Sequence, residues 1–158
     1  MGLASPVTMR GVTAAYLFAN TLVVLEVTKE VLRQTLERCA AYFTLVGDQP
    51  QISEEFLLPK VEHYNYDYYA GVSYAYDISR PVGQRVVSLL VDGHPVADTD
   101  EFTICLNSYR ASGTGGYGCY VGCPVVREIP HEMSELLLEY FRRHGGDIPL
   151  AASDYRVC

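Results

Sequence analysis

Two aromatic residues stand at the ends of apolar runs. Tyr109 follows the run 102–106 and precedes the glycine-rich stretch Gly113-Thr114-Gly115-Gly116. Phe18 lies in Tyr16-Leu17-Phe18-Ala19-Asn20, just before a second apolar run, 21–27. Rings at the mouths of two strands can grip a flat ligand between their faces. A nucleobase fits that description, because every base offers a π-face on which an aromatic side chain stacks. The residues alone leave a second reading open, in which Phe18 and Tyr109 are core residues at strand ends. Of the two, Tyr109 is the less core-like, since polar Asn107, Ser108 and Arg110 surround it. Thirteen tyrosines with no tryptophan point the same way, towards a surface used for recognition.

Other chemistries find less support. A two-metal hydrolytic centre needs several Asp, His and Asn side chains converging on the ions. Here His63, His94, His131 and His144 stand singly, and Cys119 and Cys123 have no second Cys/His pair in register, so a zinc site is not expected. No Gly-x-Ser-x-Gly elbow is present, and no cysteine sits in an obviously basic setting. The glycine-rich stretch lacks the Lys-Ser/Thr of a phosphate-binding loop and reads as a turn. No catalytic residue and no metal ligand is therefore assigned to this chain, and no cofactor. A binding module is favoured over a self-sufficient enzyme.

The 158 residues make one domain, 1–158, long enough to bury a core. A net charge of −7 argues against duplex nucleic acid, whose binding rests on Lys and Arg neutralising phosphates, but leaves a single nucleotide possible. No stretch is apolar enough to span a bilayer, and residues 1–8 lack the basic and apolar parts of a secretory leader. The abrupt start and finish suggest a piece of a larger protein. Cysteines 39, 105, 119, 123 and 158 form an odd, irregular set and read as free buried thiols.

The elements that must carry the rings follow from capping and periodicity. Thr8 caps a short helix through Tyr16, with Met9, Val12 and Tyr16 on one face. The run 21–27 reads as a buried strand, and Thr28 caps a helix with Val31, Leu32, Leu36, Cys39, Ala40 and Phe43 in a stripe. Residues 44–60 read as a long loop. Strands are expected over 71–78, 84–91 and 101–106, with a hairpin turn at Asp92-Gly93. Residues 111–124 show no regular period. A helix is expected from Ile129 to His144, with Met133, Leu136, Leu137, Tyr140 and Phe141 inward and Gly145-Gly146 ending it. The order gives an α+β fold with a mixed, mostly antiparallel sheet packed with helices.

These residues, taken in order, resemble the C-terminal domain of the 5'-nucleotidase superfamily. The resemblance covers nearly the whole chain and is nearest to bacterial 2',3'-cyclic-nucleotide 2'-phosphodiesterase/3'-nucleotidases. Its markers are Tyr16-Leu-Phe-Ala-Asn-Thr-Leu-Val-Val24, Leu36-Glu37 and Tyr64-Asn-Tyr-Asp67. Further along come Gly71-Val-Ser-Tyr74, Arg85-Val86 before Asp92-Gly93-His-Pro95, and Asn107-Ser-Tyr-Arg-Ala-Ser-Gly113. The resemblance implies that Phe18 and Tyr109 sandwich a base, with Asn20, Asn107 and Gly113 of the same motifs at the substrate. It implies a separate N-terminal metallophosphoesterase domain with a divalent metal pair as the partner, absent here, so that this fragment alone is inactive. It also implies a nucleotide or nucleoside substrate and a periplasmic, cell-wall or secreted parent enzyme. Where related 5'-nucleotidases have an acidic residue in the glycine turn, this chain has Thr114-Gly115. The competing expectation is a non-catalytic ligand-binding or protein-interaction module with the same fold.

Overall fold

A computed structural model of the chain describes residues 7–144 and 155–157. Its first helix, α1 (Met9–Ala15), starts where Thr8 accepts a hydrogen bond from the Gly11 amide at 3.0 Å. Only Val12 of α1 is buried; Met9 is exposed. After a short link comes β1 (Leu22–Thr28), and Thr28 then caps α2 (Lys29–Ala40) through the Val31 amide. The α2 stripe Leu32, Leu36, Cys39 and Ala40 is buried as its spacing requires.

The strands divide among three sheets rather than forming one. In the first, β1 is central, flanked by β7 (Glu101–Asn107) and β8 (Val125–Ile129), both antiparallel to it. In the second, β2 (Phe43–Val46) and β3 (Gln49–Ile52) make a hairpin. The third runs β6 (His94–Pro95), β5 (Val86–Val91), β4 (Val72–Tyr76) and β9 (Tyr155–Val157), where β4 and β9 are parallel and the other pairs antiparallel. The expected α+β class with mostly antiparallel pairing is what is found. Asp92 and Gly93, both at positive φ, form the turn from β5 to β6.

One core joins the outer sheets through α2. Val23, Leu25 and Val27 of β1, Leu36, Cys39 and Ala40 of α2, and Tyr74 and Tyr76 of β4 pack with Ile78, Tyr117 and Tyr120. A buried polar clasp fixes α2 to β5. The Glu37 carboxylate accepts from the Arg85 and Val86 amides at 2.9 and 2.8 Å, while the Arg85 side chain donates to the carbonyls of Ala40, Phe43 and Arg80. Both residues are 7% exposed, so these bonds satisfy groups that burial would otherwise leave costly.

Several expectations are corrected. The 44–60 loop contains most of the β2–β3 hairpin. Its β3 strand is exposed throughout and carries Pro50, so no buried face marks it in the sequence. The helix expected from Ile129 starts at Met133. Ile129 is the last residue of β8 and pairs with Leu22, and the proline at 130 disfavours helical backbone at 129. In α4 (Met133–His144), which lies against α1, no residue is fully buried, and Tyr140 is exposed rather than inward. The β1 strand buries Val23, Leu25 and Val27 but leaves Glu26 exposed, so only one of its faces is fully covered. Among the described cysteines only Cys39 is buried; Cys105 is exposed on the edge strand β7. The ending glycines 145–146 and Cys158 lie outside the described residues.

Candidate functional site

The register of β1 against β7 brings the two aromatic motifs together. Leu22 pairs with Asn107, so the start of β1 lies beside the end of β7. Just outside that pair, the Ser108 amide donates to the Thr21 carbonyl at 2.9 Å and the Thr21 amide donates to the Ser108 hydroxyl at 3.2 Å. Phe18 precedes one strand and Tyr109 follows the other. Antiparallel pairing therefore places them at the same end of the sheet.

A third aromatic ties the motifs. Tyr16, which caps the C-terminal end of α1, accepts at its hydroxyl from the side-chain amide of Asn20 at 3.1 Å and from that of Asn107 at 3.4 Å. Asn107 also accepts from the Arg110 amide at 2.8 Å and so caps α3 (Ser108–Ala111), the short helix that carries Tyr109. The Phe18 ring meets Tyr16 edge-on, with centroids 6.4 Å apart. Phe18 is 67% exposed and Tyr109 half-buried.

Both rings open onto one cleft of about 360 Å³. Phe18, Tyr16 and Asn20 line it from the link into β1, and Asn107, Tyr109 and Arg110 from the end of β7. Lys60, Tyr64 and Asp67 line it from the segment before β4. The volume falls in the range of small-ligand pockets. Gly113 does not line it. Its φ is +84°, and a Cβ there would meet Val121 Cγ2 at 2.6 Å. It is the left-handed residue that ends α3, with its amide donating to the Arg110 carbonyl at 2.9 Å.

Arg110 braces the floor. It is 5% exposed, with Nε 2.6 Å from Asp67 Oδ2 and Nη2 donating to Asp67 Oδ1 at 2.8 Å. Nη2 also donates to the Tyr64 carbonyl, and Nη1 to the Thr114 carbonyl and Asn65 Oδ1. These contacts use all five guanidinium N–H groups. The cation lies 4.0 Å from the centroid of buried Tyr117. Burial opposes its charge, but the hydrogen bond and charge of Asp67 outweigh that and raise its pKa. The guanidinium is thus saturated by the protein. Beneath it, Cys39 Sγ is 3.1 Å from the Tyr117 hydroxyl and 3.4 Å from the Asp67 carbonyl, and burial pushes the thiol up to about 11.

Four of the five expected site residues, Phe18, Asn20, Asn107 and Tyr109, line the cleft together, and Gly113 is not among its lining residues. Reading the sequence for the site missed Tyr16, Lys60, Tyr64, Asp67 and Arg110. Tyr64, Asp67 and Arg110 lie within stretches that carry the family resemblance, and their spacing was the available signal. Lys60 had none, because it falls in a segment without period. Among the described residues no group of three or more His, Cys, Asp or Glu side chains comes together.

The chain is similar to several known proteins. A family model described as 5'-nucleotidase, C-terminal domain, matches residues 3–121. A 2',3'-cyclic-nucleotide 2'-phosphodiesterase/3'-nucleotidase of Haemophilus influenzae is 32% identical over 168 residues, covering 94% of this chain and 25% of that protein. The trifunctional nucleotide phosphoesterase protein YfkN of Bacillus subtilis is 27% identical over 171 residues, covering 98% of this chain and 11% of that one. A crystal structure from Staphylococcus aureus, provisionally named a 5'-nucleotidase and solved with alpha-ketoglutarate, superposes with a TM-score of 0.89 at 41% identity. It is matched over 96% of this chain and 30% of its own. The chain spans about a quarter or less of the curated relatives it matches.

Proposed function

This chain belongs to the 5'-nucleotidase C-terminal domain family, and from that premise we propose that it is the nucleotide-specificity domain of a metal-dependent phosphohydrolase. The parent activity in this reading is that of a 2',3'-cyclic-nucleotide 2'-phosphodiesterase/3'-nucleotidase, the name carried by the Haemophilus influenzae relative. The observation that carries the reading is the shared cleft: Phe18 and Tyr109, far apart in sequence, line it together with Asn20 and Asn107.

In this reading the rings of Phe18 and Tyr109 take the two faces of the base. The amides of Asn20 and Asn107, held in place by the Tyr16 hydroxyl, stand at the ends of the two ring-bearing segments, where they can meet its polar edge. Asp67 pairs with Arg110, whose other N–H groups go to Tyr64, Asn65 and Thr114, and together they brace the floor. The described residues do not assemble a donor set suited to a metal pair, so the phosphoester chemistry is assigned to a metallophosphoesterase domain elsewhere in the parent enzyme. This domain grips the nucleoside and presents it. A location in the periplasm, cell wall or medium belongs to the same proposal and comes with the family.

Stacking contributes about 1–3 kcal/mol per base and aromatic contact, or roughly 2–6 kcal/mol for two faces. Polar contacts to the edge of the base add to that and association costs are subtracted from the sum, which leaves weak binding. Adenosine or 3'-AMP should then bind the isolated domain with a Kd from the high-micromolar to the millimolar range, on the order of −4 to −6 kcal/mol. The test is a titration followed by NMR, in which the Phe18→Ala/Tyr109→Ala double variant should lose the binding that the parent chain displays.

A further inference from the structure

Three charged side chains line the cleft, and two of them cancel. Asp67 and Arg110 form a two-point ion pair, and the guanidinium has no N–H left for a ligand. The remaining charge is Lys60. Its ammonium donates to the Tyr64 hydroxyl at 3.2 Å and lies 5.3 Å from the Tyr64 ring centroid. Tyr64 in turn donates to Glu62 Oε1 at 3.1 Å, and Glu62 Oε2 accepts from the Asn65 side-chain amide at 2.8 Å. Lys60 is therefore positioned through Tyr64, keeps two of its three N–H donors, and forms no ion pair among the described residues.

From this arrangement we infer that Lys60 is the phosphate-recognising residue of the cleft, its ammonium holding a phosphate group of the nucleotide whose base lies between Phe18 and Tyr109. The inference rests on the base-slot reading and adds a second contact to it. Its physical ground is the contrast with the rest of the surface. A chain of net charge −7 repels a phosphate overall, so an anionic ligand needs a local cation to enter. A compact ammonium with free donors suits phosphate oxygens from several directions. The hydrogen bond to Tyr64 raises the lysine pKa from an ordinary value that already leaves the group charged at neutral pH.

The test compares adenosine with its 2'-, 3'- and 5'-monophosphates in NMR titrations of the 158-residue chain, at low and at high salt. At low salt at least one monophosphate should bind roughly 5-fold more tightly than adenosine, the size of one partly exposed ion pair. That ratio should shrink as salt screens the charge. In Lys60→Met the ratio of the two affinities should fall to about 1 or below, while Lys60→Arg and Tyr64→Phe, which keep a cation, hold it above 1. The inference is overturned if adenosine binds but no monophosphate binds more tightly, or if Lys60→Met retains the preference. Failure of adenosine itself to bind would instead bring down the base slot, and this inference with it.

Discussion

Tyr109 stands on the first turn of α3, beside a guanidinium held at every N–H, whereas Phe18 stands in the link between α1 and β1 with 67% of its surface in solvent. Below Tyr109 the support continues inward through Arg110, Tyr117 and Cys39 to the core. Phe18 has an edge contact with Tyr16 and the bonds of Asn20 behind it. One wall is fixed by buried polar contacts. The other is set by where β1 begins and by the lighter contacts of Tyr16 and Asn20. The difference teaches that preorganisation need not be symmetric. In the proposed base slot the rigid face would set the orientation of the ligand, and the lightly held face would close on its ring with little else to disturb.

The strongest way to break this contrast is to remove the anchor. Arg110→Met leaves the largely buried Asp67 carboxylate without its partner, and loss of one member of such a pair costs about 3–5 kcal/mol. Urea unfolding should register a loss towards the lower end of that range, since Asp67 keeps some solvent contact. A change below about 1 kcal/mol would mean that Arg110 is not the brace.

The next effect is on pH. Burial raises the Cys39 thiol from its ordinary 9.0 to about 11, so the folded chain holds that proton more tightly than the unfolded chain. The associated stability is fully present below about pH 9 and is lost as pH rises from 9 towards 11, amounting to about 2–3 kcal/mol. Buried Tyr76, Tyr117 and Tyr120 are shifted upwards by the same desolvation and act with the same sign at higher pH. Cys39→Ala should flatten the decline between pH 9 and 10.5 in denaturant titrations, and an unchanged slope would count against the buried thiol.

Smaller effects separate the walls directly. Tyr109→Ala should weaken nucleoside binding by about 1–3 kcal/mol and also lower stability measurably, because its ring packs beside Arg110 with the centroid 5.6 Å from the guanidinium. Phe18→Ala should weaken binding by a similar amount while changing stability by no more than about 0.5 kcal/mol, as expected of an exposed side chain. Thermal melts run beside the titrations would distinguish the two, and equal stability losses would erase the asymmetry.

How much of this the sequence carried depended on the signal each part leaves. The strand and helix that frame the core were legible because Thr28 caps α2 and Leu32, Leu36, Cys39 and Ala40 repeat on one face. The ring pair was legible because Phe18 and Tyr109 flank apolar runs that prove to be paired strands. The β2–β3 hairpin was not, since an exposed strand containing Pro50 has no buried alternation to display. The Ile129–Pro130 junction was misassigned because apolar residues on both sides continued a helical period across a strand end. The bracing role of Arg110 was not legible beyond its place in a resemblance stretch, because three of its four partner residues, Tyr64, Asn65 and Asp67, lie more than forty residues upstream. Lys60 likewise becomes a neighbour of the rings only through tertiary packing.

The most direct measurement is the affinity of adenosine for the unaltered chain and for the Phe18→Ala/Tyr109→Ala double variant, by NMR or calorimetric titration. Weak binding to the first, in the high-micromolar to millimolar range, with none detectable in a folded double variant, is the outcome expected of a base held between the two rings. Equal binding to both proteins would contradict it.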